Sequence, residues 1–203
     1  MINLQRRFAI IGHRAPSTGN IFLNDLSGLS GRIDVLARAI NSTLFLSHGI
    51  RKDSQIILHL MGGEGSSRRV LFDGSTLAGV RPDERSIAGH IRSLVKLRLP
   101  PIGTWIRVSA GIYHSGGDIE TTLQEWSRDE VNILVLDKQG IELDEITLVD
   151  TDVGFILSDD TPFSDKENKS LIEFKRINVG EKWLQGHSCI TIVHHIIDSN
   201  ILD

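Results

Sequence analysis

The stretch GEKWLQGHSCITIVHHIID, residues 180–198, concentrates the residue types that most often carry out chemistry in proteins. It holds the chain's one cysteine, Cys189, and three of its eight histidines, which are His187, His194 and His195. A thiol and several imidazoles could form a metal site or a catalytic thiol site, or could line the pocket of a cofactor. These three kinds of site can be distinguished by the spacing of the residues and by the helices and strands that position them.

The spacing favours neither a metal site nor a catalytic thiol. His194 and Asp198 lie four residues apart and would share one face of a helix, but no H-E-x-x-H or C-x-x-C pair completes a tetrahedral set of ligands. No base and orienting residue stand next to Cys189, as an activated thiol requires, although residues distant in sequence could supply them. We therefore expect a buried helix with partnered histidines and no bound metal.

A cofactor pocket is the third possibility for this stretch. The strand-like INVG (177–180) is followed by Trp183 and Leu184, and then by GHSC at the start of a helix. Such a turn presents backbone N–H and C=O groups to a ligand beside apolar side chains, which suits an adenine ring and a thioether. Because every α/β protein has turns of this kind, the turn alone does not identify a ligand.

The elements around this stretch are those of an α/β chain, because short β-branched runs alternate with helical periodicity. The first helix is expected to have Ser30 as its N-cap and to end at Gly49. The runs at 131–137 and 154–160 are typical of buried parallel strands that end where a ligand loop would lie. The pattern predicts further strands at 7–13, 55–61, 68–74, 105–109 and 177–180, and further helices after residue 82, over 118–127, within 165–175 and at the C-terminus.

Length and composition favour one domain over residues 1–203, because 40% of the residues are hydrophobic and no repeat or linker interrupts them. A single cysteine cannot form an intramolecular disulfide, and the opening MINLQRRFAIIGHR lacks the apolar core of a signal peptide. These features predict a reducing, cytoplasmic location. No apolar run approaches the roughly 20 residues that span a bilayer, so no membrane partner is expected.

Charge is distributed unevenly along the chain. The formal net charge is −4, but residues 1–107 hold 15 Lys and Arg against 7 Asp and Glu, whereas residues 108–203 hold 7 against 19. A basic N-terminal half is what a phosphate-binding face would look like. The alternative is solvated charge scattered over the surface, since separation in sequence says little about clustering in space.

Common nucleotide and hydrolase motifs are absent. The glycine-rich GGEGSS (62–67) lies between two predicted strands, has no P-loop lysine and does not open a helix, so it reads as a hairpin. Neither G-x-G-x-x-G nor G-x-S-x-G occurs in the chain. The simplest Rossmann and α/β-hydrolase interpretations are therefore excluded.

Five blocks together resemble the tRNA pseudouridine N1-methyltransferase family of the SPOUT superfamily, which was described in archaea and has close bacterial relatives. They are SGRIDVLARAINSTLFLSHGIRKD (30–53), RPDERS (81–86), ILVLDKQG (133–140), FILSDD (155–160) and INVGEKWLQGHSCITIVHH (177–195). The resemblance implies an α/β, SPOUT-type parallel-sheet fold with a deep C-terminal trefoil knot over about residues 130–203. It also implies a homodimer that binds S-adenosyl-L-methionine within the knot.

The resemblance also implies which residues hold the cofactor. Three loops of the knot would contribute, and the matching positions are Leu136, Ser158, Asp159, Val179, Gly180, Leu184 and Cys189. Cys189 would then act through its backbone and apolar contact. Ser158 departs from the family pattern, which usually has a glycine there, and a serine would cost energy if the backbone needs a positive φ.

Methyl transfer to N1 of a pseudouridine requires alignment of the donor methyl with the nitrogen and removal of the N1 proton. Asp34, within SGRID, is the candidate proton acceptor; the alternative is that Asp34 pairs with Arg32 or Arg38. Arg14, Arg32 and Arg38 are the expected phosphate contacts of an RNA, which the resemblance identifies as tRNA.

Two hypotheses on function follow from the sequence. The first is an S-adenosylmethionine-dependent RNA methyltransferase that modifies N1 of a pseudouridine in the tRNA T loop. The second is a SPOUT-like RNA-binding protein without transfer activity, or a methyltransferase that acts on a different RNA. The departure at Ser158 is the feature that favours the second.

Overall fold

The computed structural model of the chain describes residues 4–143 and 151–200. Over these ranges the chain forms a mixed α/β structure, in the chain order β1(Arg6–Pro16), α1(Ile33–Leu44), β2(Phe45–Leu46), β3(Gly49–Ile50), β4(Ser54–Gly62), β5(Arg68–Asp73), α2(Glu84–Leu94), β6(Ile106–Ser109), β7(Ile112–Gly116), α3(Ile119–Arg128), β8(Asn132–Glu142), β9(Val153–Ser158), α4(Asp165–Ser170), β10(Lys175–Asn178) and α5(Gly186–Asn200). None of the helices within these ranges is long and apolar enough to cross a membrane.

Eight of the described strands form one sheet, in the order β10-β8-β9-β1-β4-β5-β7-β6. Neighbouring strands from β10 to β4 are parallel, whereas β4, β5, β7 and β6 pair antiparallel. The β4–β5 pair is the hairpin expected around GGEGSS. The predicted parallel sheet is therefore confirmed for one half of the sheet, and an antiparallel extension completes the other half.

Helices cover both faces of the sheet because the central strands are apolar on both sides. In β1, Phe8 and Ile10 face the core under α1, α2 and α5, while Ala9 and Ile11 face the core under α3. Trp126 of α3, which is 2% exposed, is the largest side chain of the second core. This layered packing fixes the strand ends from which the loops of the functional site leave.

The predicted ends of α1 were both wrong. The Ser30 hydroxyl accepts a hydrogen bond from the Phe22 N–H at 2.7 Å and donates to the Phe22 carbonyl at 3.1 Å, so it closes a loop instead of capping a helix. The N-cap is Arg32, whose φ is 66°. The helix ends at Leu44, because the chain then enters the β2–β3 hairpin, which contains Gly49.

Two further elements differ from the predicted pattern. Residues 112–116 form β7, a strand that was not predicted because IYHSG lacks a clear alternation of apolar and polar residues. Only the first part of 165–175 is helical, as α4, which begins with a capping box formed by Ser164 and Glu167. The remaining residues turn and enter β10, which starts at Lys175.

The far end of α5 is fixed by ion pairs to two arginines, one of which is buried. Asp198 accepts hydrogen bonds from Arg51 at 2.6 Å and 3.1 Å and pairs with Arg6, which is 2% exposed, at 2.6 Å. Arg6 also contacts Nδ1 of His194 at 3.1 Å. Burial, followed by the nearby arginine charges, lowers the pKa of His194 to about 3. This end of α5 is therefore anchored in the sheet, which leaves its first turn to meet the site described next.

Candidate cofactor-binding site

A cavity of about 680 Å³ lies at one edge of the sheet, beside β8 and the ends of β9 and β10. Its volume lies within the roughly 300–1,000 Å³ that is usual for small-molecule sites. Three segments, which lie within residues 136–138, 157–163 and 177–189, contribute most of the wall; α1 with its N-cap Arg32, and Asn168 of α4, contribute the rest. Ligands of parallel α/β sheets bind at such carboxyl ends of strands.

A bulge in β8 shapes the first segment. Val135 pairs with Arg176, but the next pair joins Ile141 to Ile177, so residues 136–140 leave the register with β10. Bulges of this kind turn side chains towards functional sites. At Gly140 a Cβ atom would lie 2.4 Å from the backbone nitrogen of Ile177, so this close approach requires glycine. The predicted strand ended at residue 137; β8 instead continues past the bulge to Glu142.

Asn178 joins the first segment to the third. Its side-chain nitrogen donates to the Gly140 carbonyl at 2.6 Å, and its side-chain oxygen accepts from the Gly180 N–H at 3.0 Å. Gly180 has a φ of 126°, which a residue with a side chain rarely adopts. Asn178 was not singled out from the sequence, although a polar side chain at the end of an apolar strand is the signal that could have identified it.

The cavity brings together the residues that the resemblance implied for the cofactor. All seven line its wall: Leu136, Ser158, Asp159, Val179, Gly180, Leu184 and Cys189. Each of the three segments contributes a leucine to the apolar lining, namely Leu136, Leu157 and Leu184. Whether these residues bind a cofactor stays a prediction, but their convergence from three distant parts of the chain is a geometric fact.

The backbone at Ser158 does not require glycine. Among the described residues, the non-glycine residues with a positive φ are Arg32 and Glu130. The Ser158 hydroxyl donates to the Thr161 carbonyl, which closes the turn after β9. The serine therefore has a local partner and no left-handed strain, so its departure from the family pattern gives no reason to expect a distorted loop.

Asp159 holds the second segment against β1. Its side chain is 1% exposed and accepts hydrogen bonds from the His13 N–H at 2.9 Å and from the Thr161 N–H at 2.8 Å. The His13 ring lies between Asp159 and Glu167, with each ring nitrogen 3.0 Å from a carboxylate oxygen. The hydrogen bond to Asp159, opposed by burial and reinforced by Glu167, raises the pKa of His13 to about 9. His13 is thus a cation at neutral pH that fixes the loop.

Arginines and aspartates form a connected group beside the cavity, which we call the cavity-edge cluster: Arg14, Arg32, Arg38, Asp34 and Asp160. Arg32 donates to Asp34 at 3.0 Å and 3.2 Å and to Asp160 at 2.6 Å. Arg38 also donates to Asp34, and Arg14 to Asp160. Burial opposes ionisation of Asp160, but Arg14 and Arg32 lower its pKa below the ordinary value. The predicted alternative for Asp34, pairing with a neighbouring arginine, is observed with both arginines.

Only part of the cavity-edge cluster lines the cavity. Arg32 and Arg38 line the cavity wall, whereas Asp34 is not among the lining residues. Asp34 is 8% exposed; its Oδ1 accepts from Arg32, and its Oδ2 accepts from both Arg32 and Arg38. Its role as a proton acceptor and the roles of Arg14, Arg32 and Arg38 as phosphate contacts stay predictions.

Cys189 lies on the half-buried first turns of α5, where its Sγ is 4.0 Å from the Leu184 carbonyl. Burial raises the pKa of this thiol, so it stays protonated at neutral pH and serves as a small apolar wall. Within residues 4–143 and 151–200, no three His, Cys, Asp or Glu side chains lie close enough together to hold a metal ion.

An aromatic side chain at the cavity was not assigned a role from the sequence. Trp183 lines the cavity but is 75% exposed, and the Lys138 ammonium lies 5.7 Å from its ring centre. The two residues belong to different wall segments, so their contact spans the cavity edge. Exposure of a tryptophan beside a pocket is visible only in the structure, because the sequence around it is equally consistent with a buried ring.

A sequence profile for the family described as "Putative SAM-dependent RNA methyltransferase" matches residues 5–201. The chain belongs to this family. A tRNA (pseudouridine(54)-N(1))-methyltransferase of Methanococcoides burtonii is 35% identical over 199 residues, which cover 97% of this chain and 97% of the relative. A protein of the same name from Haloarcula marismortui is 37% identical over 199 residues, which cover 96% of each chain.

A solved structure supports the fold of this RNA methyltransferase family member. The crystal structure of Archaeoglobus fulgidus Nep1 bound to S-adenosylhomocysteine matches with a TM-score of 0.67, covering 98% of this chain and 99% of that chain. The sequence identity is 12%, so the likeness concerns the fold alone. It agrees with the mixed α/β architecture and the largely parallel sheet described above.

Proposed function

We propose that the protein is an S-adenosyl-L-methionine-dependent RNA methyltransferase that transfers a methyl group to N1 of a pseudouridine in tRNA. The observation that carries this function is the match, over 97% of the chain, to a relative named for this reaction at position 54. The family profile, which spans residues 5–201, identifies S-adenosylmethionine as the methyl donor. The cavity supplies a site of suitable size for that donor.

The residues present fit this cofactor. The faces of its adenine ring and the carbon atoms around its sulfonium can pack against apolar side chains, and Leu136, Leu157 and Leu184 provide such side chains. The first N–H groups of α5 have no partner within the helix and lie beside the cavity at Gly186 and His187. We propose that these backbone groups, with those of Val179 and Gly180, hold the polar parts of the cofactor.

The bound cofactor supplies a sulfonium methyl group to a nucleophilic nitrogen. The protein then has to hold that nitrogen in line with the methyl group at near-attack distance, and positioning of this kind contributes a large part of the rate in two-substrate reactions. Removal of the N1 proton needs an acceptor, for which Asp34 is our candidate. Arg32 and Arg38 already donate hydrogen bonds to its carboxylate oxygens, so acceptance of a proton would require one of these bonds to be released.

The alternative function, an RNA-binding protein without transfer activity, is no longer favoured by the residue on which it was based. That alternative was based on the serine at position 158, which would be strained if the loop needed a positive φ. Ser158 is not strained, and its hydroxyl is used within the loop. The cavity wall is complete at all seven predicted positions. The serine at position 158 therefore no longer argues against transfer.

We further propose that residues 1–203 form one domain whose C-terminal part, from about residue 130, is a deep trefoil knot, and that the protein is a cytoplasmic homodimer. The fold likeness to Nep1 and the convergence of three late segments on one cavity support the knotted part. Sedimentation equilibrium tests the dimer, since a mass near 22.5 kDa, that of one chain, would exclude it.

Methyl transfer to defined tRNA transcripts tests the proposed function. Purified protein would be incubated with isotopically labelled S-adenosylmethionine and with two transcripts that differ only in having pseudouridine or uridine at position 54. We expect label in the pseudouridine transcript alone, recovered as N1-methylpseudouridine after digestion to nucleosides. Equal labelling of both transcripts would refute pseudouridine as the target, and absence of label in both, with cofactor shown to bind, would refute this substrate.

A further inference from the structure

A long segment of the basic half carries no acidic residue. Between residues 85 and 117 the chain has five Lys and Arg and no Asp or Glu. Four of the five, Arg85, Arg92, Lys96 and Arg98, lie on α2 and the turn that follows it, and all four are exposed. We call these four residues the α2 basic surface.

The α2 basic surface differs from the cavity-edge cluster because its charges are not neutralised. Across the part of the chain that the structure describes, no carboxylate forms an ion pair with any of the four residues. The two acidic residues that precede them are engaged elsewhere. Asp83 caps α2 by accepting from the Ser86 N–H at 2.7 Å, and Glu84 lies 3.9 Å from Arg38.

Helix stability explains only part of this surface, because it does not account for Arg85. Basic residues near the C-terminal end of a helix, such as Arg92, interact favourably with the helix dipole. Arg85, however, lies in the first turn of α2, where the dipole favours an anion and disfavours a cation. Arg85 and Arg92 are seven residues apart and so share one face of the helix, beside the buried face formed by Ile87 and Ile91.

The position of α2 relates this surface to the cavity. The helix begins beside Arg38, a cavity-lining residue that reaches Glu84, and Asn41 of α1 donates to the Pro82 carbonyl at 2.6 Å. From there α2 extends for 11 residues, or about 16 Å at 1.5 Å per residue. That length corresponds to several nucleotide steps of a nucleic-acid strand.

The far end of α2 is held rigidly. Arg68 of β5 is fully buried and donates to the Leu94 carbonyl at 2.9 Å and to the Leu97 carbonyl at 2.7 Å. It also contacts Nδ1 of His114 on β7 at 2.8 Å. The end of α2 is therefore fixed to the sheet, and the exposed cations project from a rigid support.

We propose that the α2 basic surface binds the phosphate backbone of the RNA substrate and so holds the RNA beside the cavity. The occupant follows from charge complementarity, because four exposed cations that have no acidic partner among the described residues match a polyanion. Such contacts position an RNA without reading its bases. The proposal rests on the proposed function for the identity of the polyanion, and it adds the surface on which the polyanion lies.

Salt-dependent binding of a tRNA transcript tests the surface. The variant is Arg85→Gln/Arg92→Gln, and the matched control is Lys169→Gln/Lys175→Gln, which removes the same charge from two exposed lysines on the acidic half. Binding would be measured by fluorescence anisotropy over a range of KCl concentrations. Each lost phosphate contact reduces the slope of log K against log salt by about 1, so we expect a reduction of about 2. Affinity at 0.1 M salt should fall about 20-fold, and the control should match the wild type.

Two outcomes would overturn the proposal: an unchanged slope in the α2 variant, or an equal reduction in the control. Failure of the proposed function gives a different result. In that case the α2 variant would still lose RNA affinity, but neither the wild type nor the variant would methylate a pseudouridine transcript. If both proposals hold, the α2 variant should bind S-adenosylmethionine as the wild type does and show a raised KM for tRNA with little change in kcat.

Discussion

The cavity-edge cluster and the α2 basic surface both contain arginines, but the arginines of the cluster are paired with aspartates and those of the surface are not paired with any described carboxylate. In the cluster, Arg14, Arg32 and Arg38 all donate to Asp34 or Asp160. On α2, Arg85 and its neighbours are exposed and have no acidic partner among the described residues. Arginines that are neutralised within the fold contribute to its stability, whereas unpaired arginines are available for a partner.

The difference shows why a charge tally along the sequence cannot locate a binding face. Both groups lie in the basic half of the chain, but Asp160, which neutralises two of the cluster arginines, lies in the acidic half, 128 residues beyond Arg32. The three arginines chosen from the sequence as phosphate contacts already pair with aspartates in the fold, and their contact with RNA stays a prediction. If the comparison holds, removal of paired charges should destabilise the fold, and removal of α2 charges should not.

The largest effect on the free energy of unfolding is expected at His13, the cation between Asp159 and Glu167. Its pKa rises from 6.5 to about 9 on folding, so its stabilisation is complete below about pH 6.5 and is lost as pH rises through about 9. The loss should amount to about 3 kcal/mol in the free energy of unfolding. Urea unfolding at pH 6, 8 and 10 measures it. At pH 6 the His13→Gln variant should be less stable than the wild type, and its free energy of unfolding should change little between pH 6 and 10. If the variant keeps the wild-type dependence on pH, His13 is not the cause of that dependence.

Asp34→Asn should have the next largest effect, because it removes the charge that two arginines share. We expect the free energy of unfolding to fall by about 1–3 kcal/mol, the usual range for hydrogen bonds to charged groups. Chemical denaturation measures the change, and Glu173→Gln, at an exposed site, should remain within about 0.5 kcal/mol of the wild type.

The same Asp34 variant separates pairing from proton transfer. Loss of a general base lowers kcat by about 10²–10⁴ and removes a limb of the pH–rate profile. Loss of an ion pair alone leaves that limb in place. Because both carboxylate oxygens of Asp34 accept hydrogen bonds from arginines, retention of the limb would assign Asp34 a purely positioning role.

Arg14→Gln should have a smaller effect, because the Arg14 side chain is 56% exposed and its pair with Asp160 is largely solvated. Exposed ion pairs contribute up to about 1 kcal/mol, and thermal unfolding should show a loss below that value. A salt slope for tRNA binding that falls as far in Arg14→Gln as in an α2 variant would contradict the division between the two groups.

Arg85→Gln should be the mildest change for stability and should even be favourable. It removes a cation from the first turn of α2, where the helix dipole disfavours one, so the free energy of unfolding should rise by about 0.3–1 kcal/mol at low ionic strength. Urea unfolding in low salt measures this. A clear loss of stability would mean that Arg85 has a structural partner, which would weaken its assignment to RNA.

The sequence predicted the fold where local pattern and burial agree. The apolar runs at 131–137 and 154–160 became β8 and β9, and the turn signals of GGEGSS became the β4–β5 hairpin. The start of α1 was not predictable, because the Ser30 hydroxyl bonds Phe22 rather than the helix. The choice between two partners for one side chain depends on contacts that only the folded chain makes.

The candidate site was only partly predictable for a related reason. The cavity residues were identified through resemblance to a family, since no spacing rule brings Leu136, Ser158 and Leu184 together. The bulge after Val135 and the bridging role of Asn178 depend on strand register, which the alternation of side chains does not reveal. Pairing of arginines across 128 residues is likewise a tertiary contact. Local propensity was therefore sufficient to predict the strands, whereas the contacts of the site residues depend on tertiary packing.

Calorimetric titration with S-adenosylmethionine tests the central claim, that the cavity holds the methyl donor. The wild type would be compared with Leu136→Arg, which places a cation in the cavity wall, and with Ile141→Arg, an exposed apolar residue on the same strand outside the cavity. Circular dichroism would confirm that all three are folded. We predict about one cofactor per chain for the wild type and for Ile141→Arg, and no binding for Leu136→Arg. Equal binding by Leu136→Arg, or no binding by the folded wild type, would contradict the assignment of the cavity.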